Sequence, residues 1–455
     1  MDNEQTNNGS TIPRTAYLAG SLVQFALGLH GPFLSAYVRQ MGANYAELGA
    51  FRSVGNIAPT ILQPVWGPVS DRIGHRKVFV AFGTLTGLVT VALFLWTSTP
   101  TDMIVLYAVQ SILFSIQTPA WTSLIGGLVR EDRRGIELGR LGVVTNLASL
   151  LATIVTGVLA GATVLVPLLR QALGDLGPVL FPVLPSDQTW KDAYYLPFYL
   201  TAVFGIAASL FALAIKEKTP ARKAASFPPV LKLLSRPGDF RRFCGAATFF
   251  SFGMSMAWPY FVVVQLEWLG NTLFEIAVAS ALMTLTTVIL SIPFGKLSDR
   301  IGRKPLIIMG RALLVLVPLL YALVLFVPST MMIYVSNLVA GVATAASGNA
   351  SVAYVYDISP EHERGSHVSV YNVFTGFIFL LGSFVAGILG DLLQPTTGPV
   401  MAAFAMLMLS SVLRAFGSMV YTTIREPREY TSSLWREVNG MLHRRRHDMD
   451  GPPHA

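Results

Sequence analysis

Apolar residues come in long runs parted by short polar gaps. Twelve such runs, at about 15–38, 46–66, 77–97, 103–128, 139–163, 194–215, 243–265, 273–294, 305–327, 331–355, 368–392 and 398–423, are close to the roughly 20 residues that cross a bilayer core as a helix. Stretches such as Val89 to Trp96 do not alternate in polarity, which sets aside the ten-residue alternating strands of a membrane β-barrel. Backbone that crosses lipid must satisfy its own hydrogen bonds, and an open sheet cannot. The pattern therefore predicts an all-α integral membrane protein with twelve transmembrane helices. The leader before the first run is polar and not basic, and no small-residue cleavage site follows, so that run is expected to be a retained helix rather than a signal peptide.

Composition agrees. The chain is 53% hydrophobic and only 13% charged, too little polar surface to solvate a globule of 455 residues. Lys and Arg fall in alternate gaps: after the second run (Arg72, Arg76, Lys77), the fourth (Arg130, Arg133, Arg134, Arg140), the sixth (Lys216 through Arg242) and the eighth (Lys296, Arg300, Arg303, Lys304). The odd-numbered gaps hold only Arg39, Arg170 and Lys191, a bias that predicts both termini in the cytoplasm and the chain in the cell membrane. A net charge of +8 is then expected to meet anionic inner-leaflet lipid. The basic residues are spread over separate loops rather than one folded surface, which argues against nucleic acid. Cys244 is the only cysteine and the seven histidines show no ligand spacing, so no disulfide, metal or cofactor is expected, a coupling H+ or Na+ being left open.

The chain repeats itself. Gly67, Asp71, Arg72, Gly74 and Arg76 recur 228 residues on as Gly295, Asp299, Arg300, Gly302 and Lys304. At nearly the same offset Pro32 matches Pro259, Gly42 matches Gly270, Glu47 matches Glu275, and Arg134-Gly135 matches Arg364-Gly365. Six runs map onto six in order. Because six is even, both copies enter from the same side, and an axis along the membrane normal should relate them. The predicted organisation is a tail at 1–14, a six-helix bundle at 15–215, a basic linker at 216–242 with a short surface helix near 230–234, a second six-helix bundle at 243–424, and an amphipathic basic tail at 425–455.

A Gly-x-x-x-Asp-Arg-x-Gly-x-Arg/Lys tract repeated in register, with Glu131 to Gly135 and Glu361 to Gly365 each reading Glu-x-x-Arg-Gly, resembles the major facilitator superfamily over nearly the whole chain. The resemblance implies a secondary transporter, not an enzyme, with two six-helix repeats around a central cavity exposed alternately to the two sides. It implies no substrate, and function as a monomer is expected. An exporter of the drug/proton antiporter type is an alternative, weakened because the fifth run, Gly142 to Gly161, lacks the Gly-Pro pair such members often carry. A non-transporting receptor or scaffold on the same fold is a second alternative, with no appended soluble domain to favour it.

The repeated tract suggests a latch. Gly67 and Gly295 would let a neighbouring helix approach, Gly74 and Gly302 would permit a left-handed turn, and Asp71 and Asp299 would meet helix N-termini or arginines when the cytoplasmic side is shut, with Arg72, Arg76, Arg300 and Lys304 completing the network. Arg134 and Arg364 are further latch candidates, with Asp357 as an acidic partner. Glu47 and Glu275 read instead as helix caps, since Thr272-x-x-Glu275 is a capping box and Asn44-x-x-Glu47 its near relative.

Polar and aromatic groups inside the runs are the substrate-site candidates, because lipid penalises each of them: Gln24, His30, Gln117, Trp121, Asn146, Phe250, Trp258, Tyr260, Asn349, Tyr371 and Asn372. Helix-to-helix glue is the competing role for each. Amides and aromatics without an interior carboxylate suit a small uncharged, amphipathic or weakly anionic solute. His30 is also the proton-coupling candidate, being the titratable side chain near mid-membrane with a suitable intrinsic pKa. Of the interior cations, Arg52 is expected to snorkel toward the outer interface, Arg311 toward the cytoplasmic one, and Arg414 to pair with another helix.

Overall fold

A computed structural model describes residues 12–129, 134–161, 165–185, 188–217, 230–236, 238–360 and 363–427. Twelve long helices make up the fold: α1 (14–40), α2 (Tyr45–Ile73), α3 (Arg76–Trp96), α4 (Pro100–Leu128), α5 (Arg134–Gly161), α6 (Asp192–Leu213), α7 (Asp239–Trp268), α8 (Leu273–Ile301), α9 (Arg303–Val324), α10 (Thr330–Ile358), α11 (Arg364–Thr397) and α12 (Pro399–Val420). No strand occurs among the described residues. We call the end bearing the repeated tracts the basic face and the opposite end the far face.

The repeat is visible in local structure. Asn44 and Thr272 each cap a helix while Glu47 and Glu275 reach back to the cap's own N–H, so both glutamates act as helix caps at the far face. Pro32 and Pro259 interrupt equivalent helices: α1 passes through a 3₁₀ turn at Gly31–Phe33, and α7 restarts at Trp258. A proline cannot donate to the carbonyl four residues back, which is why the breaks fall there.

Small residues set the packing inside each bundle. A side chain at Gly28 would strike the Ser149 carbonyl, and Thr153 and Thr156 of α5 donate to Gly28 O (3.2 Å) and Leu29 O (2.9 Å) of α1. In the second bundle Gly417 of α12 lies against the Phe250 backbone, and Ser410 donates to Gly253 O at 2.6 Å. Where lipid offers no hydrophobic drive between helices, close approach and interhelical hydrogen bonds hold them together.

The structure corrects the expected loops. Helices α2 and α8 run on to Ile73 and Ile301, so the repeated tract forms their last turns, and the connection is only Gly74 and His75 in one copy and Gly302 in the other. Gly74 takes the expected left-handed turn (φ 75°, ψ 0°), while Gly302 is at φ 103°, ψ 164°, a region that only glycine occupies readily. Between α5 and α6, helix Leu165–Ala172 packs back on the bundle, held by Arg170 to the carbonyls of Phe181 and Pro182 (2.8 Å to the latter) and to Asp192 at 3.7 Å. The linker's surface helix is present at Val230–Ser235. The expected amphipathic tail lies outside the described residues apart from 425–427.

Candidate functional site

The bundles touch along two seams, α2 with α11 and α5 with α8. The hydrogen bonds and the ion pair that join them cluster toward the far face. Asp391 of α11 accepts from the first two amides of α2, Tyr45 N at 3.0 Å and Ala46 N at 2.9 Å, placing a carboxylate on a helix N-terminus. Ser53 donates to Leu380 O at 2.8 Å, and Ser383 donates to Gly49 O at 3.4 Å. The Tyr45 and Tyr260 rings pack at 4.9 Å between centroids. Arg39 of α1 pairs with Glu267 of α7, and these two positions are themselves 228 apart in sequence. Residues related by the axis face each other near it, so equal charges would repel and opposite ones pair. In the other seam a side chain at Gly157 of α5 would collide with Ala277 and Phe274 of α8.

Toward the basic face the bundles part. A cavity of about 960 Å³ opens there, walled by α5 (Gly139, Arg140, Gly142, Val143, Val144, Asn146), α8 (Met283 through Ile292) and α10 (Thr344, Asn349). Thr284, Thr287 and Ser291 line it at helical spacing, and each hydroxyl donates to the carbonyl four residues back, at 3.0, 2.8 and 2.6 Å. Their protons are spent on the helix, so they turn acceptor lone pairs to the cavity. Asn146 and Asn349 supply amide donors opposite. Arg140 stands at the wall with its charge met by Glu137 at 3.0 Å.

Two smaller spaces adjoin this cavity in the first bundle. One, about 320 Å³, shares Gly142 with the large cavity and is lined by Gln24, Gln117 and Trp121; the next, about 190 Å³, shares Leu27, Phe114 and Thr118 with it and is lined by His30, Tyr107, Gln110 and Ser111. His30 is buried, with Nδ1 2.8 Å from the Ala26 carbonyl. A carbonyl only accepts, which assigns the hydrogen to Nδ1 and leaves Nε2 as the acceptor.

The candidates of the second bundle divide differently. Asn349 lies on the large cavity. Phe250, Trp258, Tyr260, Tyr371 and Asn372 line none of the three spaces. Phe250 lies beneath the Arg311 guanidinium at 4.5 Å, Trp258 packs on Phe379, and Tyr260 is in the far-face closure with its hydroxyl donated to Ala386 O at 2.6 Å. Arg311 therefore stays inside, between Phe250 and Tyr421, instead of reaching the interface. Arg414 pairs across helices as expected, donating to Leu314 O at 2.8 Å and Met254 O at 2.9 Å.

At the basic face, Asp299 is held by Arg303 at 2.6 Å, and Arg303 also reaches Ser298 at 2.9 Å and Asp357 at 3.3 Å. This network lies within the second bundle and exists while the bundles are parted at this end, so it is not a contact reserved for the closed form. The repeat does not single out Arg303, because its counterpart in the first copy is His75. A side chain at Gly295 would meet nothing within 4 Å, again because the bundles diverge here. Arg72 and Arg300 are exposed, and Arg364 donates to Tyr356 O at 3.2 Å. Gly67, Asp71 and Arg134 fall outside the residues whose surroundings are described. The main chains of Arg76 and Lys304, at the starts of α3 and α9, donate to Glu217 (3.3 Å) and Glu426 (2.8 Å), two carboxylates that follow α6 and α12.

Known proteins share this plan. The sequence profile of the Major Facilitator Superfamily matches residues 16–257 and again 243–446. An uncharacterised MFS-type transporter of Methanocaldococcus jannaschii is 22% identical over 419 residues, covering 89% of this chain and 96% of that one. The multi-drug resistance efflux pump PmrA of Streptococcus pneumoniae is 22% identical over 321 residues, 68% of this chain and 72% of that one. A bacterial homologue of the human lysosomal transporter Spinster, in an inward-facing and unoccupied conformation, superposes with a TM-score of 0.70 at 15% identity, over 92% of this chain and 98% of that one. Two profile matches that together span both bundles, on a fold that repeats itself in space, show that the chain belongs to the Major Facilitator Superfamily.

Proposed function

We propose that this protein is a secondary transporter that moves a small uncharged, amphipathic or weakly anionic solute by alternating access. One observation carries the reading: the bundles are fastened to each other toward one end, and a cavity walled by both opens at the other. The excess of Lys and Arg at the open end supports a cytoplasmic basic face, and hence an inward-open form in the cell membrane. The likeness to an inward-facing Spinster homologue supports the same state. The cavity wall favours this solute class, since acceptor hydroxyls, two amides and apolar side chains line it and its arginine is already paired. Likeness to a multi-drug efflux pump supports export as the direction. His30 remains the proton-coupling candidate.

The test is counterflow in proteoliposomes with a metabolite and drug panel under imposed pH or sodium gradients. Single cysteines at Asp102 and Ser235, in a Cys244→Ala background, report orientation in cells. Solute exchange is expected, with Asp102→Cys labelled from outside and Ser235→Cys only after permeabilisation. If protons drive the exchange, His30→Gln flattens its pH dependence; a fully retained pH dependence makes His30 structural. Labelling of Ser235→Cys in intact cells would invert the orientation, and absence of exchange across the panel would favour a receptor on the same fold.

A further inference from the structure

Resting on the transport reading, we propose that Arg52 is an anion-binding group at the closed end of the cavity, and that the solute carries a carboxylate on an otherwise apolar body. The Arg52 Nε is buried with no hydrogen-bond partner, and no carboxylate among the described residues pairs with its guanidinium. Arg311 and Arg414 share the unpartnered Nε but place the rest of the guanidinium, Arg414 on two carbonyls and Arg311 against two aromatic rings and Ser351. A half-buried guanidinium without a carboxylate partner among the described residues carries a desolvation cost, and a charge kept in the membrane at a cost marks a place where an opposite charge arrives.

Its position suits the role. Arg52 is seven residues from the start of α2, about 10 Å along the axis at 1.5 Å per residue. On the same helix Ser53 bonds to Leu380 of α11 and Gly55 packs on Tyr107 of α4, so Arg52, between these two directions round the helix, lies on the face of α2 turned to those helices. Its Nε is withdrawn from solvent, so the snorkelling expected from sequence does not occur. Its electrostatic neighbour is Tyr107, which lines the 190 Å³ space with Gln110, Ser111 and His30. That space lies on the basic-face side of the Tyr45–Tyr260 closure, and its other walls include Leu27, Leu34 and Phe114. A guanidinium offers a planar fork that fits a carboxylate, while the apolar walls receive the rest of the solute. The position 228 residues on is Ser280, so the second bundle brings no matching cation and the site takes a single negative charge.

Thermal unfolding of the full chain in nanodiscs, with benzoate, hexanoate and the neutral isostere benzamide at fixed ionic strength, tests this. Benzoate or hexanoate should raise the midpoint of the wild type by several degrees and benzamide by less. Arg52→Gln should weaken carboxylate binding about 10- to 100-fold, the range for losing a charged hydrogen bond, and Arg52→Lys should keep part of it. Arg52→Gln should also raise the midpoint of the unliganded protein, since it removes an unpaired half-buried charge. A carboxylate effect that survives Arg52→Gln, no effect of either carboxylate on the wild type, or a Gln variant that melts lower without ligand each overturns the proposal. Exchange of neutral solutes without Arg52-dependent binding would remove the anion site and leave the transporter; Arg52-dependent binding without flux would do the reverse.

Discussion

The two seams occupy equivalent places about the pseudo-axis, yet they are made of different things. Between α2 and α11, a carboxylate sits on a helix N-terminus and two serine hydroxyls donate across to carbonyls. Between α5 and α8 the contact among the described residues is van der Waals, with Gly157 admitting Ala277 and Phe274. Position 161 of α5, which matches Asp391 at the offset seen for Arg134 and Arg364, is a glycine with nothing within 4 Å. Hydrogen bonds are directional and are lost together when the angle changes, whereas packed apolar surfaces lose contact gradually. Under the alternating-access reading proposed above, the first seam would act as a clasp and the second as a bearing.

Spin-label distances between Asp102→Cys and Met331→Cys, at the far-face ends of α4 and α10, measure how firmly that face is shut. The largest effect is expected from Asp391→Ala, which strands two amides of α2. Losing about 2 to 3 kcal/mol from a charged, partly buried cap should raise the far-face-open population roughly 30- to 150-fold. An unchanged distance distribution would dissolve the distinction between clasp and bearing.

Gly157→Leu should act next most strongly, since wedging a packed seam costs about 1 to 3 kcal/mol. Gly161→Leu, facing open space, should leave the distances alone. Equal responses from the two leucines would mean that the α5–α8 seam does not bear on Gly157.

The smallest effect belongs to Arg39 and Glu267, whose side chains are 21% and 41% exposed. Arg39→Glu should shift the balance by about 0.5 to 1 kcal/mol, less in high salt, and adding Glu267→Arg should restore it. A double exchange that fails to restore the wild-type distances would show that the pair is not complementary about the axis.

Much of this is legible in the sequence alone. Twelve apolar runs, the 228-residue repeat and the capping residues each follow from local chemistry, and Asn146, Asn349, Gln24, Gln117, Trp121 and His30 all lie on cavity walls. Phe250 and Tyr260 mislead because an aromatic run on one helix does not say which neighbour it packs against. Asp391 escapes for a related reason: its partners are 345 and 346 residues away across the halves, and a repeat reveals equivalence between the copies, not contact between them. The hydroxyl series Thr284, Thr287 and Ser291 does carry a signal, at helical spacing. So does Ile215-Lys216-Glu217 against Ile424-Arg425-Glu426, a second short repeat in which the glutamates recur.

Those two glutamates bear on the order in which the protein is made. Glu217 fastens the beginning of α3 from just beyond the end of α6, at the first residues of the linker, so both halves of that fastening are made before any of the second bundle. Glu426 does the same for α9 after α12. Each bundle carries its own closing residue at its C-terminal end, and synthesis runs from N to C with units folding as they emerge. The first bundle can be complete while the second is still being translated, so the linker leads from a finished body to one still forming.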